Sequence, residues 1–483
     1  MKCRWVGVSL CGLLLGGCSF IPPLPKLGGG WGDSFKQGSA SQPTASAVVG
    51  AQATTSAEGA QPRAASALAV VDPTWWSVLQ DPVLDRLQQE LLSGNVSLSV
   101  ATAQVRRAQA SLASAQASLW PSVNLTGGVT RSVNQLAAAP GTSYNLSLPV
   151  SWELQLWGRV DALSTAARAS MLATQEDLAS ARFSLQASLV STYVALRTAE
   201  RQLGVLRRAE AAQQRSLTLT QARHQAGVVS AIDVAQAQSQ LKNTEAQRIE
   251  VGTQRAQLEH ALAVLLGQAP SALRIEALPT QAVWPPAVPD LPELLPAELM
   301  QRRPDIQAAQ QRVVAANAQI GVARAAFFPT VNFTANAGYR NPELASLLSS
   351  SSRAWSLGPS MALSVFDGGQ RRAAQADAEA ALEQAASNYR QVVLTAFQEV
   401  EDNLVAAAQL QAQAQAQQES LQAAQRNLAL TEEQYKAGTV SYLNVAIAQT
   451  GALNAERSLL DVQSRRLLAL NILMKNLAGP WKP

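Results

Sequence analysis

Few residues of this chain are of the types that bind metals or attack substrates, and their positions argue against both kinds of site. The 483-residue sequence has three cysteines, Cys3, Cys11 and Cys18, and two histidines, His224 and His260. Neither histidine has a second histidine or an acid at metal-ligand spacing, and no Gly-x-x-x-x-Gly-Lys-Ser/Thr run is present to bind a nucleotide. The sequence therefore predicts no cofactor, no metal site and no set of catalytic residues.

The start of the chain carries the chemistry of a secretion signal. Lys2 and Arg4 flank the beginning of an apolar stretch, Trp5–Leu15, which is too short to span a bilayer. Leu15-Gly16-Gly17-Cys18 then resembles the lipobox of bacterial lipoproteins, in which the signal is cut before a cysteine that carries acyl chains. We predict a signal peptide over residues 1–17 and lipidation of Cys18. An ordinary signal with an incidental cysteine is the alternative.

The next segment and the overall charge restrict the partners. Residues 18–71 are rich in Gly, Ser, Ala, Pro and Thr and almost free of large apolar side chains after Phe35, which predicts a lipid-anchored, flexible tether. Lys and Arg exceed Asp and Glu by 38 − 34 = 4, and two of the basic residues lie in the signal. So small an excess predicts no nucleic-acid partner.

The rest of the chain is an internal duplication. Trp120-Pro121-Ser122-Val123-Asn124 aligns with Phe328-Pro329-Thr330-Val331-Asn332, at an offset of 329 − 121 = 208. The segment around Gly227 aligns with that around Gly438, at an offset of 438 − 227 = 211. Chance similarity between Ala-rich helices would not preserve Pro, Gly and Asn positions, so we predict one fold repeated in tandem. The repeats span residues 72–269 and 305–483, with a Pro-rich connector over 270–304.

Each repeat contains two segments in which apolar and polar residues alternate, which predicts strands with one apolar face. They lie at about 121–133 and 143–157, and at about 329–341 and 353–367. A half-buried soluble sheet gives the same alternation. Three features favour strands in a membrane: their length of about ten residues, the secretion signal, and aromatic residues near their ends, namely Trp120, Trp157, Phe327, Phe328 and Trp355. Four strands cannot close a barrel, so several copies must contribute to one.

The remaining segments predict very long helices. Arg159–Ala226 has no proline and one glycine, and Gln370–Ala437 has neither, so each can form a helix of about 100 Å at about 1.5 Å per residue. A glycine follows each segment, at 227 and 438, and a second helical segment returns. The sequence therefore predicts two antiparallel helical hairpins with sharp tips, for which a soluble coiled coil is the alternative interpretation.

This ordered pattern resembles the outer-membrane efflux protein family, the TolC-like outer membrane factors, in particular their NodT-type lipoprotein branch. The resemblance covers Trp75 to Ala478. It is carried by the duplicated strand openings, by the two hairpin tips, and by three further motifs: Trp75-Trp76 before Asp81-Pro82-Val83-Leu84, Arg302-Arg303-Pro304-Asp305-Ile306, and Phe366-Asp367-Gly368-Gly369.

The resemblance implies an α+β membrane protein. Four strands of each chain would contribute to a trimeric, 12-stranded barrel in the Gram-negative outer membrane, and the hairpins would form a periplasmic tunnel. It implies a passive exit duct for drugs or other small molecules. Its partners would be a homotrimer, outer-membrane lipid, a periplasmic adaptor and an inner-membrane pump.

The resemblance also assigns roles at the tips. It places the adaptor contact on Gly227, Val228, Val229, Ser230, Gly438, Thr439, Val440 and Ser441. It places a periplasmic gate at Asp233, Tyr435, Leu443, Asn444 and Ile447, in which Asp233 and Tyr435 would join neighbouring helices. Leu443 and Ile447, four residues apart, share one helix face and could form an apolar ring on the channel axis. Packing between helices is the alternative for this pair.

Other functions remain open on the sequence alone. A channel for protein secretion would share the fold, and a periplasmic adaptor or structural lipoprotein would share the helices and the anchor. An adaptor, however, leaves four alternating strands without a role. An envelope enzyme would need a nucleophile, a base and an orienting acid as a set, and none can be identified.

The signal sequence generates the first prediction, that Cys18 is the acylated first residue of the mature protein. Mass spectrometry of the purified N-terminus should find a diacylglyceryl-modified cysteine, and Cys18→Ser behind a non-lipoprotein signal serves as the unmodified control. A mature chain that starts elsewhere, or an unmodified Cys18, contradicts the prediction.

Overall fold

The computed structural model describes residues 20–25, 75–132, 141–278, 284 and 303–477. Cys18, the signal and most of the predicted tether lie outside these residues. In chain order the helices are α1 (Pro82–Gly94), α2 (Val96–Ala117), α3 (Arg159–Gln225), α4 (Ala231–Leu265), α5 (Pro304–Ala325), α6 (Gln370–Lys436) and α7 (Tyr442–Leu477). The strands are β1 (Ser122–Val123), β2 (Thr126–Ser132), β3 (Gly141–Leu154), β4 (Thr330–Asn341) and β5 (Arg353–Ala362).

These elements form two compact units. The sheet unit contains the described parts of residues 1–29, 102–177 and 305–392, and therefore all five strands. The hairpin unit contains the described parts of residues 30–101, 178–304 and 393–483, and therefore both helix-to-helix turns. Helices α3 and α6 have 67 residues each and contribute residues to both units. Among the described residues, no helix is both long and apolar enough to cross a membrane.

The sheet is antiparallel throughout, with β1 and β2 on one side of β3, and β4 and then β5 on the other. β1 and β2 are one strand interrupted opposite Pro149, which has no N–H to donate to the ladder. The Asn124 N–H still donates to the Pro149 carbonyl at 3.0 Å across the interruption. The sheet therefore has four strand positions, each formed by one of the alternating segments of the sequence.

Two predicted strands end earlier than expected. β3 stops at Leu154 rather than at 157, and β5 stops at Ala362 rather than at 367. The physical reason is the length of β4, because its first residues pair Val331 with Leu154 and Thr330 with Ala362. Beyond Thr330 the neighbouring chain is no longer a strand, so the last residues of these two alternating segments have no partner there.

Residues 20–25, which belong to the predicted tether, pack against the sheet unit. The expectation of a flexible tether is therefore wrong for this segment. Phe20 stacks on Phe328 with ring centroids 4.7 Å apart. The Pro22 carbonyl accepts a hydrogen bond from Asn317 Nδ2 at 2.7 Å, and Ile21 lies against Gly321, where a Cβ would approach within 2.9 Å of its side chain. Apolar contacts and a satisfied carbonyl therefore hold this short segment against α5 in the sheet unit.

In the hairpin unit, buried charges hold the start of the Pro-rich connector. Arg197 and Glu200 form an ion pair at 2.8 Å with side chains only 3% and 5% exposed. Arg197 Nη1 also donates to the Glu276 carbonyl at 2.8 Å, and Glu200 accepts from the Leu278 N–H at 3.2 Å. Arg255 likewise donates to the Ile275 carbonyl at 2.7 Å. These bonds satisfy backbone groups that have no helix or strand to pair with.

Candidate gate and docking surface at the hairpin tips

The two tips have the same backbone geometry. Gly227 and Gly438 have φ angles of 74° and 80°, the left-handed conformation that glycine adopts without strain. The N–H of Gly227 donates to the carbonyl of His224, and that of Gly438 to Tyr435. The following residues, Val228 and Thr439, donate to carbonyls five residues back. The duplicated sequence therefore closes both helices with the same turn.

The first tip is capped by its own acid. Ser230 Oγ accepts from the Ile232 N–H at 3.0 Å, and Asp233 Oδ2 accepts from the Ser230 N–H at 3.1 Å. These bonds satisfy free N–H groups at the start of α4. No hydrogen bond of the described residues joins Asp233 to a second helix, so within one chain this residue acts as a helix cap.

The second tip is held by residues of the first hairpin. Arg223 near the end of α3 donates to the carbonyls of Tyr435 at 2.7 Å and Lys436 at 2.6 Å. Its guanidinium also lies over the Tyr435 ring, 4.8 Å from the centroid. A cation at the C-terminus of α6 satisfies free carbonyls and the helix dipole together. The Tyr435 hydroxyl forms a 3.0 Å hydrogen bond with Thr220 Oγ1, which links α6 to α3 a second time.

Sequence reasoning missed Arg223 and Thr220. The position of Arg223, one turn before Gly227, could have indicated its role. If the two tips lie side by side, a residue at this position is close to the end of α6. Free carbonyls at the end of a helix need donors, and a basic residue of the adjacent hairpin can supply them.

A small apolar cluster next to the two turns is built around Tyr435 and Tyr442, whose ring centroids are 5.8 Å apart. We name it the tip cluster. Its other buried members are Leu217, Ala237, Leu241 and Val445. Tyr442 is fully buried, and its hydroxyl has no hydrogen-bond partner among the described residues. Burial raises the pKa of Tyr442 to about 12, with Tyr435 and Glu432 adding to the shift. The hydroxyl therefore stays protonated at neutral pH.

The predicted gate residues on α7 face away from this cluster. Leu443 and Ile447 are 48% and 62% exposed, whereas Tyr442 and Val445 on the opposite side of the helix are buried. Asn444 is exposed, and its Nδ2 donates to Ser441 Oγ at 3.3 Å. Val228 and Ile232 at the first tip are also exposed, at 68% and 69%. Within one chain, Leu443 and Ile447 therefore do not pack into the tip cluster.

The sheet unit has a second candidate surface, because the sheet has two faces of opposite character. The register places Val331, Phe333 and Ala335 of β4 beside Leu154, Trp152 and Val150 of β3. The alternate positions carry Asn332, Thr334 and Asn336 beside Glu153, Ser151 and Pro149. Many apolar side chains of the first face are well exposed, among them Val129, Trp355, Leu357 and Met361. We name these two surfaces the apolar face and the polar face.

Both outer edges of the sheet are open in the single chain. Among the described strands, β2 pairs only with β3, and β5 pairs only with β4.

No group of three or more His, Cys, Asp or Glu side chains suited to a metal ion occurs among the described residues. The notable surfaces are therefore the two faces and edges of the sheet and the exposed apolar residues at the tips.

The sheet with an exposed apolar face and the two long helical hairpins are the elements that the predicted outer-membrane channel fold requires, and the comparisons with known proteins support this class of fold. The model of the family described as outer membrane efflux protein matches residues 87–268 and 295–479. The chain therefore belongs to the outer membrane efflux protein family, and the predicted resemblance and α+β fold class are confirmed.

Individual relatives match along nearly the whole chain. The probable efflux pump outer membrane protein TtgC of Pseudomonas putida is 31% identical, over 99% of this chain and 95% of its own length. The outer membrane protein OprJ of Pseudomonas aeruginosa is 32% identical, over 99% of this chain and 96% of its own. A crystal structure of CusC, from work on its folding and transmembrane channel formation, matches with a TM-score of 0.78 and 29% identity, over 84% of this chain and 94% of that one.

The tip cluster generates a prediction in which two similar substitutions have different effects. Tyr435→Phe removes the bond to Thr220 and should destabilise the tip by about 1 kcal/mol. Tyr442→Phe removes a buried hydroxyl that bonds no described residue, so it should be neutral or stabilising. Native-state hydrogen exchange of the tip amides measures both, because it reports local opening. Exchange should become about fivefold faster in Tyr435→Phe alone. Equal changes in the two variants would contradict the assignment.

Proposed function

We propose that this protein is the outer-membrane exit duct of a tripartite efflux pump, through which small molecules leave the cell passively. The single observation that carries the proposal is the sheet, which combines one apolar face, one polar face and two open edges. In lipid, each unpaired backbone group costs several kcal/mol, so open edges must pair with other copies of the chain. The polar face then lines a water-filled passage, while the apolar face contacts lipid.

More than one copy must contribute to the barrel, and the family resemblance sets the number at three. The smallest membrane barrels have about eight strands, and each chain supplies four strand positions. A homotrimer gives the twelve strands that the family resemblance implies. In this assembly the helical hairpins extend into the periplasm. The strand ends next to the β4–β5 hairpin face the outside of the cell. Energy comes from an inner-membrane pump, so the duct itself needs no catalytic residue.

The tips are the proposed site of contact with a periplasmic adaptor. The turn residues Gly227–Ser230 and Gly438–Ser441 lie at the ends of the hairpins, and Val228 exposes an apolar side chain there. The gate is proposed to lie on the adjoining turns, at Asp233, Tyr435, Leu443, Asn444 and Ile447. Exposed Leu443 and Ile447 support this proposal, since apolar side chains that their own chain leaves uncovered can form a ring on the axis of a symmetric assembly and exclude ions by dewetting.

The assignment of the two faces is tested by placing one charge on either side of β5. Leu357 lies on the apolar face opposite Ala335, and Ser356 lies on the polar face opposite Asn336. Leu357→Lys should cost about 2–4 kcal/mol if the residue contacts the bilayer core, whereas Ser356→Lys should be tolerated in water. Native mass spectrometry in detergent should detect trimers of the wild type and of Ser356→Lys, and few or none of Leu357→Lys. A stable folded monomer of the wild type would falsify the proposed function.

The tips are tested by a pair of variants that should separate gate from adaptor contact. Leu443→Ala should raise the resting conductance of the purified channel in planar bilayers, because a smaller side chain widens the apolar ring. Val228→Ala, an equally conservative change at the other tip, should leave conductance unchanged and reduce the adaptor recovered with the protein after mild cross-linking. If Leu443→Ala leaves conductance unchanged, Leu443 is not part of the constriction.

A further inference from the structure

The apolar face contains a trough that runs along β4. Ala335 and Ala337 are small, and the residues beside them on β3 and β5 are large. Ala337 lies between Leu148 and Trp355, and Ala335 lies between Val150 and Leu357. Small side chains on the central strand, flanked by large ones on both neighbours, leave a groove parallel to the strands.

A cavity of about 370 Å³ occupies the part of this groove around Ala337 and Tyr339, whereas Ala335, Val150 and Leu357 do not line it. Its apolar walls include Leu125, Leu146, Leu148, Ala337 and Trp355. A straight hydrocarbon chain fits such a groove, since it matches both its apolar lining and its direction.

One end of the groove carries a positive charge. Arg353 and Tyr339 face each other across β5 and β4 and line the same cavity. Arg353 is exposed and forms no salt bridge or side-chain hydrogen bond with any residue that the structure describes. Its guanidinium can therefore donate to a ligand, and a guanidinium fork matches the geometry of a phosphate group.

The charged residues on the apolar face of the described strands are all positive. In the described strands, the apolar face has only two charged residues, Arg131 and Arg353, and both lie near the strand ends away from the helices. Acidic residues are absent from this face of the same strands. An arginine beside Trp355 and Tyr339 at the end of an apolar groove has the chemistry of a lipid-headgroup site, in which aromatic side chains lie at the membrane interface.

We propose that this groove binds an anionic, phosphate-bearing glycolipid of the outer leaflet, with one acyl chain in the trough over Ala337 and a headgroup phosphate on Arg353. The inference rests on the proposed function, which places the apolar face in lipid and the β4–β5 hairpin toward the outside. In a Gram-negative outer membrane that side carries phosphorylated glycolipid, whereas glycerophospholipids occupy the inner leaflet. Arg353 therefore supplies the contact with a phosphate, and its position at the outer strand ends places that phosphate in the outer leaflet.

Native mass spectrometry of the full-length protein tests the proposal, with lipid A as the glycolipid probe and phosphatidylglycerol as the competing anionic lipid. The wild-type assembly should retain lipid A in preference to phosphatidylglycerol. Arg353→Gln should weaken lipid A binding about fivefold, the effect expected from one basic residue at a membrane surface. Arg340→Gln is the matched control, because Arg340 is one residue beyond Tyr339 on β4 and lies on the polar face, where it pairs with Asn145.

The groove itself is tested by Ala337→Phe, which fills the trough without changing any charge and should also weaken lipid A binding. This variant keeps the proposal testable if Arg353→Gln fails to assemble. Equal retention of lipid A by wild type, Arg353→Gln and Ala337→Phe overturns the proposal, as does an equal loss in Arg340→Gln. Equal binding of phosphatidylglycerol overturns the choice of glycolipid.

The same spectra separate this inference from the proposed function. A wild-type trimer that binds no lipid A overturns the lipid site alone. A wild-type protein that remains monomeric overturns the proposed function and the inference with it.

Discussion

The constraint on which the sheet unit depends is that backbone N–H and C=O groups must be paired wherever water is absent. The limits of the strands follow from it. β3 and β5 end where β4 begins, because no partner remains beyond Thr330. The one internal break, between β1 and β2, lies opposite Pro149, which cannot donate, and Asn124 bridges the gap through the Pro149 carbonyl. The two outer edges remain as the only strand edges that one chain cannot satisfy in the described sheet. Assembly is therefore a condition for the sheet in lipid, since the unpaired groups would otherwise cost several kcal/mol each.

The tips show how a duplicated sequence becomes asymmetric. Both helices close with the same glycine turn, so the backbone retains the repeat. At the offset of 211 residues, Asp233 corresponds to Asn444 and His224 to Tyr435. In the first tip the acid caps its own helix. In the second, Arg223 of the other hairpin lies over the Tyr435 ring and donates hydrogen bonds to the carbonyls at the end of α6. Asn444 still bonds locally to Ser441 Oγ, whereas Tyr435 adds side-chain links to Arg223 and Thr220 that join the hairpins.

The sequence predicts those features that depend on periodicity and on glycine. Alternation located the four strand positions, since a strand with two different environments must alternate, and the glycines at 227 and 438 located the tips. Features set by tertiary partners could not be read in this way. The end of β5 depends on the length of β4, and the docking of Phe20 depends on the position of Phe328. The role of Arg223 depends on how close the two hairpins lie, which no local pattern encodes. Asp233 was assigned by resemblance to a link between helices, and within one chain its hydrogen bond is local, because a carboxylate three residues after an N-cap serine can reach back to that serine's N–H.

The connector between the repeats shows why buried charge is retained in a unit otherwise built from Ala and Leu. Residues 273–278 have no regular secondary structure, so their backbone groups need partners from side chains. Arg197, Glu200, Arg255 and Glu259 supply several of these bonds, and their two positive and two negative charges pair with one another. An apolar replacement of one member would leave both an unpaired buried charge and an unsatisfied peptide group, which costs more than the ion pair contributes. The network therefore fixes where the chain leaves the first repeat, and a helix or strand at this point would have made the charges unnecessary.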